Sequence, residues 1–231
     1  MSSFTIQVLN ESNNNQVYYL FYKPFSGVGY TPLACVTQKS ATITNTKTAT
    51  FTINLPTAVV YGASHNQPLG SGVNVSIQES TVIKPPEVVP VSLQNNNPYF
   101  PPPKQETSAG NWATISTQEY KTDPNAHVFC GLGVVSHGSE EIIPSCVWEI
   151  QPKSTYPIPN PPQQPVFYIS NDASLDVGAI TAKTSADATV DFTGTGDNFC
   201  LVTQLSNNTF KVDPPSDLKQ QRALGRGTRG I

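Results

Sequence analysis

Charged side chains are scarce in this sequence: Asp, Glu, Lys and Arg make up 13% of its 231 residues, against the usual ~25%. The formal net charge is -3, whereas a nucleic-acid-binding protein needs a basic surface that neutralises phosphates. No apolar run in the sequence approaches the ~18–20 residues of a membrane span. We therefore expect neither a nucleic-acid partner nor a membrane span.

The start of the given sequence is not expected to be a targeting signal. Residues 1–7 (MSSFTIQ) contain neither a basic segment nor the apolar stretch of about 7–15 residues that marks a secretory signal peptide. The cytoplasm is therefore the expected location by default. Export by a route that uses no leader stays an open alternative, because such a route leaves no mark in the sequence.

Cysteine occurs at four positions without any C-x-x-C pair, which argues against zinc-ribbon and thioredoxin-like interpretations. Cys35, Cys130, Cys146 and Cys200 each lie in an apolar stretch, where a thiol behaves as a small hydrophobic group. Thiols stay free in a reducing compartment. We expect four reduced thiols, most of them buried. The competing interpretation is one disulfide between Cys130 and Cys146 across a hairpin.

Windows that could form a helix are rare, because 21 prolines are spread along the chain and proline breaks a helix interior. Alternation of apolar and polar residues is common, as in residues 4–8 (FTIQV) and 49–55 (ATFTINL). This period of two places one face of a strand in a core and the other in water. We predict an all-β fold, an antiparallel β-sandwich of two sheets with roughly ten to thirteen strands.

The length suits one all-β domain, since such domains often run to ~200–250 residues. We assign residues 1–215 to this domain and residues 216–231 to a flexible C-terminal tail. Residues 84–104 and 152–165 are rich in proline, and we interpret both as stiff loops that cross between sheets or cover an edge. The alternative for each is a polyproline II segment that another protein recognises.

Possible metal ligands are concentrated in the middle of the sequence. His127, Cys130, His137, Glu140 and Cys146 include the side-chain types that bind zinc or copper. Their spacing matches no metal motif, so we predict no metal site and no cofactor.

Catalytic motifs are absent as well, because the sequence contains neither a nucleophile elbow nor a phosphate-binding loop. Weak catalytic candidates are His127, His137, Glu140 and Glu141, since their side chains are of types that perform acid-base chemistry.

Aromatic side chains crowd residues 18–30. In a strand, Tyr18, Leu20 and Tyr22 share one face, and Tyr19 and Phe21 share the other. A strand that is apolar on both faces is either central in a core or meets a ligand on one face. Core packing and a flat binding surface are thus both open, and the second would use Tyr19, Phe21, Trp112 and Tyr168.

Short stretches of the chain are similar to parts of a known family: residues 4–12 (FTIQVLNES), 18–22 (YYLFY), 129–135 (FCGLGVV), 166–170 (VFYIS), 176–178 (DVG), 188–192 (ATVDF) and 207–212 (NNTFKV). The last four stretches also follow the order and spacing of that family. In these stretches the chain resembles the RhiA-like proteins, a family named for expression in the rhizosphere. The resemblance implies an all-β sandwich and no assigned chemistry. The segment 84–104 and the cysteines depart from the family pattern.

The leading functional hypothesis is a non-enzymatic binding or interaction protein that acts in contact with another organism. Its partner would be a glycan, a small molecule or a protein. The alternative is an enzyme with an acid-base or metal site around His127, His137, Glu140 and Glu141. A third interpretation is a structural protein that assembles through exposed sheet edges.

Overall fold

All regular structure in the described part of the chain is β-structure. The computed structural model describes residues 3–65, 67–84, 87–94, 97–102, 111–119, 126–136, 139–159, 165–172, 174–194 and 196–213. These ranges contain no helix, so the predicted all-β class is confirmed. They accordingly hold no helix of the length and apolar character that crossing a membrane requires. The predicted tail 216–231 lies outside the described residues.

The strands are numbered in chain order. They are β1 (Ser3–Asn10), β2 (Tyr19–Tyr22), β3 (Leu33–Lys39), β4 (Thr48–Asn54), β5 (Ala58–His65), β6 (Ser76–Val82), β7 (Glu87–Gln94), β8 (Asn97–Tyr99), β9 (Asn111–Thr117), β10 (Ala126–Val135), β11 (Ile142–Glu149), β12 (Thr155–Pro159), β13 (Val166–Ser170), β14 (Ile180–Thr181), β15 (Ala188–Asp191), β16 (Phe199–Gln204) and β17 (Phe210–Asp213).

The described strands form three sheets. Sheet I has the order β17-β16-β1-β4, and sheet III has the order β12-β9-β7-β8. Sheet II has nine strands in the order β15-β13-β2-β3-β11-β10-β5-β6, with β14 paired to β3. The β1–β16 and β7–β9 pairs are parallel, and the other pairs are antiparallel. Packed antiparallel sheets are therefore confirmed, although the described residues form seventeen strands in three sheets rather than ten to thirteen strands in two.

Sheets I and III both pack against one face of sheet II. Leu132 and Val134 are two residues apart on β10 and therefore point to the same face. Leu132 packs in the core shared with sheet III, and Val134 packs in the core shared with sheet I. Sheet I contributes alternate residues of β1 and β4 to its core: Phe4, Ile6, Val8, Ala49, Phe51 and Ile53.

The opposite face of sheet II has its own smaller core. Phe129 and Val147 point to this face, and they pack with Cys35, Val60 and other apolar residues. Residues on both sides of the central strands are therefore buried, which explains why the middle of sheet II is apolar without strict alternation.

Parts of both proline-rich segments are strands rather than the loops predicted from the sequence. Residues 84–104 include β7 and β8, and residues 152–165 include β12. β12 is an edge strand of sheet III, where the missing N–H groups of Pro157 and Pro159 are tolerated. Pro90 lies in β7 opposite Ser116, at a point where β8 does not pair with β7.

Candidate functional site

A cleft of about 250 Å³ lies on one face of sheet II, between the end of β4 in sheet I and the end of β12 in sheet III. Sheet II supplies its floor, the end of β4 supplies one wall, and the end of β12 supplies another. The larger apolar side chains in its described lining are Tyr22, Phe25, Leu55, Leu132 and Val166. Concave apolar surfaces of this kind are typical of small-molecule sites, although the volume is slightly below the common range of ~300–1,000 Å³.

Proline makes up a large part of the cleft wall. Pro24, Pro56, Pro159 and Pro165 all line it. Because the proline ring fixes the backbone angle φ, these wall segments have few alternative conformations. The cleft is therefore stiff at its rim, which lowers the entropy lost when a ligand binds.

A β-bulge shapes the floor of the cleft. Leu132 pairs with Cys146 and the next residue, Gly133, pairs with Pro144, so Ser145 is an extra residue in β11. A bulge re-aims side chains, and here both Ser145 and Cys146 line the cleft. The Ser145 hydroxyl donates to the Leu132 carbonyl oxygen at 3.0 Å, so this buried hydroxyl has a partner.

The segment that follows β2 forms the mouth of the cleft. The backbone N–H of Lys23 donates to the carbonyl of Val166 at 2.9 Å, and the Tyr22 hydroxyl donates to the carbonyl of Asn54. The first bond ties this segment to β13 within sheet II, and the second ties it to the end of β4 in sheet I. Burial raises the pKa of Tyr22 well above its ordinary value, so this hydroxyl keeps its proton near neutral pH.

An aromatic cluster packs next to the cleft and shares Phe25 with its lining. Phe25 lines the cleft, and its ring centroid is 5.8 Å from Trp148 and 6.0 Å from Tyr30. Tyr30 also packs against Tyr156 at 5.3 Å, and its hydroxyl donates to the carbonyl of Pro157 at 2.7 Å. The cluster links the segment after β2 to sheet III and thereby supports one wall of the cleft.

The acid-base candidates do not meet in the cleft. His127 Nδ1 is 3.8 Å from Glu149 Oε1, and the alternation of β10 and β11 places both side chains on the face of sheet II that carries Phe129, away from the cleft. Glu140 and Glu141 are exposed. His137 lies outside the described residues.

The possible metal ligands that lie within the described residues do not assemble either. No group of three or more His, Cys, Asp or Glu side chains in the described part of the chain is arranged to hold a metal ion. Cys130 pairs with Trp148, and Cys146 pairs with Leu132, so the two thiols are not opposite each other.

The four aromatic candidates for ligand binding occupy two places. Tyr19, Phe21 and Tyr168 lie on neighbouring strands of sheet II, and the Phe21 and Tyr168 rings are 5.3 Å apart. Tyr19 and Phe21 are buried, with 1% and 0% exposure. For these two residues the structure therefore shows core packing, one of the two alternatives that the sequence left open. Tyr168 is half-buried, with Lys183 Nζ 5.8 Å from its ring centroid. Trp112 lies apart on β9 in sheet III and is also half-buried.

All four thiols are free and buried, as the sequence predicts. Burial raises the pKa of Cys35, Cys130 and Cys146, and it raises the pKa of Cys200 to about 12 with a smaller contribution from the Asp213 carboxylate. A thiol that holds its proton is a poor nucleophile. Cys146 therefore serves as an apolar part of the cleft wall.

The cleft itself was not among the sites predicted from the sequence. Its residues come from seven different strands or their ends and are scattered from Tyr22 to Thr193. Comparisons of the chain with protein-family models, with curated proteins and with solved structures find no match.

Proposed function

We propose that this protein is a non-enzymatic binding protein that holds a small, largely apolar molecule in the cleft between sheets I and III. The observation that carries the proposal is a cleft with apolar walls built on paired strands and stiffened by four prolines. Burial of the apolar surface of a ligand contributes roughly 25 cal/mol per Å². A rim that is already in place adds to the net affinity.

The charge distribution favours binding over acid-base catalysis. The described lining of the cleft contains no His, Asp or Glu side chain, and the His127–Glu149 pair lies on the opposite face of sheet II. The Cys146 and Ser145 side chains in the cleft have no base beside them in the described lining. The alternative enzymatic function stays a hypothesis without a site in the cleft.

The proposal is tested with N-phenylnaphthylamine, a neutral dye that becomes fluorescent in an apolar site. We expect saturable binding to the native protein. Leu55→Trp adds bulk to a partly buried position in the cleft wall and should weaken binding about tenfold or more. Val82→Trp makes the same kind of addition at a 57% exposed position on β6 and should bind like the native protein. Equal affinities of the two folded variants would refute the cleft as the site.

A further inference from the structure

The cleft carries a single charge in its described lining. Lys23 is the one charged residue there, and Ser26 and Thr193 are hydroxyl-bearing residues of the same lining. The five residues between Pro159 and Pro165 (NPPQQ) include no ionisable side chain. The apolar cleft therefore has a cationic group at its mouth and no acidic group in its described walls.

The Lys23 side chain has no ion-pair partner among the described residues. Three other lysines do pair with acidic side chains: Lys39 with Asp176 at 2.7 Å, Lys153 with Glu119 at 2.9 Å and Lys211 with Asp213 at 2.9 Å. The Lys23 backbone is hydrogen-bonded to Val166. The Cα atom of Lys23 is therefore held at the mouth of the cleft, and the residue is exposed.

Asp191 is an acidic group that interacts electrostatically with Lys23. Hydrogen bonds from Thr193 lower the pKa of Asp191, and Lys23 lowers it further by a smaller electrostatic contribution. One of these bonds runs from the Thr193 backbone N–H to Asp191 Oδ1 at 2.8 Å. Asp191 does not line the cleft and forms no bridge to Lys23, so the ammonium group is only partly compensated.

We infer that the cleft takes an amphiphilic monoanion, an apolar chain that ends in a carboxylate, with the carboxylate at Lys23. This inference rests on the proposed function, because it names the chemical class that the same cleft binds. The chain fills the space among Tyr22, Leu55 and Leu132, and the head group stays at the open mouth. A short or medium-length chain matches a cleft of about 250 Å³.

The test is displacement of N-phenylnaphthylamine by decanoate and by decanol, which share a chain and differ in charge. Decanol is the more hydrophobic, so an uncharged cleft would prefer decanol. We expect decanoate to displace the dye from the native protein at a concentration about three- to tenfold lower than decanol. This preference should shrink as salt is raised from about 0.05 M to about 1 M, because salt screens an exposed charge.

Lysine variants locate the effect. Lys23→Gln should lose the preference for decanoate over decanol, whereas Lys23→Arg should keep it. Lys47→Gln removes an exposed lysine that does not line the cleft and should behave like the native protein. Equal displacement by both compounds, or a preference that survives in Lys23→Gln, would overturn the inference while leaving the proposed function standing. Failure of the dye itself to bind would overturn both.

Discussion

At the scale of single residues, two buried hydroxyls compensate for irregular strand pairing. Leu20 pairs with Gln38 and Phe21 pairs with Val36, so Thr37 is an extra residue in β3. The Thr37 hydroxyl donates to the Leu20 carbonyl at 3.1 Å, and Ser145 does the same for Leu132 in the bulge under the cleft. In both bulges a carbonyl beside the irregularity receives a side-chain donor.

The hydrogen bond of Thr37 can be removed without a change in shape. Thr37→Val leaves the Leu20 carbonyl short of a donor in a buried place, and we expect a loss of about 1–3 kcal/mol in the free energy of unfolding. Thr189→Val makes the same change at an exposed position on β15 and should stay within about 0.5 kcal/mol. Urea unfolding measures both, and equal losses would show that the buried bond contributes nothing.

Alternation in the sequence predicts which way many side chains point, and it fails at the bulges. Tyr18, Leu20 and Tyr22 lie in the core beneath sheet I, and Tyr19 lies in the core on the other side, as predicted. Ser145 and Cys146 are adjacent and yet both line the cleft. One extra residue shifts the period locally, and nothing in the sequence distinguishes that residue from its neighbours.

At the scale of strands, β10 depends on close approach to its neighbours. A Cβ atom at Gly131 would overlap the carbonyl oxygen of Cys146 and would lie 2.8 Å from Val147 Cγ1. Glycine in a strand is typical of a bulge or of a close approach of strands, and β10 has both features around residues 131–133.

Replacement of this glycine tests the packing of β10 on β11. Gly131→Ala should lower the free energy of unfolding by about 1–3 kcal/mol, because an added methyl group in a filled site forces the backbone to shift. Gly29→Ala is the matched control, since a Cβ there has no atom within 4 Å and its φ is not positive. Thermal unfolding should show a lowered Tm for Gly131→Ala alone, and an unchanged Tm would contradict the close approach.

Alternating segments made good strand predictions, and proline-rich segments did not. β1 and β4 follow their apolar-polar pattern closely. The sequence did not predict β7 and β12, because proline argues against a strand. Proline is nevertheless tolerated in an edge strand, and at a position that pairs with a neighbouring strand on one side only. Which pairing a strand will have is a tertiary property that its own residues do not encode.

At the scale of the whole molecule, distant parts of the chain build both the fold and the cleft. β1 pairs in parallel with β16, almost two hundred residues later, and the cleft is lined by residues at the ends of strands from all three sheets. The sequence predicts the all-β class from local patterns. The number of sheets and the position of the cleft depend on long-range contacts that those patterns do not contain.

Buried thiols give the whole molecule a dependence on alkaline pH. The folded protein holds the pKa of Cys200 at about 12, whereas an unfolded chain releases this proton near pH ~8.5. The contribution of this thiol to the free energy of unfolding is fully present below the pKa of the unfolded chain. It is lost as the pH rises towards the pKa of the folded protein. Each such thiol adds a slope of up to about 1.4 kcal/mol per pH unit.

Urea unfolding from about pH 8 to about pH 10.5 measures this slope. The free energy of unfolding of Cys200→Ala should fall less steeply with rising pH than that of the native protein. One titrating group is gone in this variant, while Cys35, Cys130 and Cys146 remain. The comparison concerns slopes, so the small cavity left by the substitution does not affect it. Parallel curves would contradict a proton held by the buried Cys200 thiol.

The central claim is that the cleft on sheet II is a binding site, and the most direct test is to locate a bound ligand. A crystal of the protein soaked with a brominated N-phenylnaphthylamine gives an anomalous signal at the bromine atom. We predict one strong peak among Tyr22, Leu55 and Leu132, in the cleft described above. A peak elsewhere on the molecule, or no peak at a ligand concentration that saturates the protein in solution, would contradict the claim.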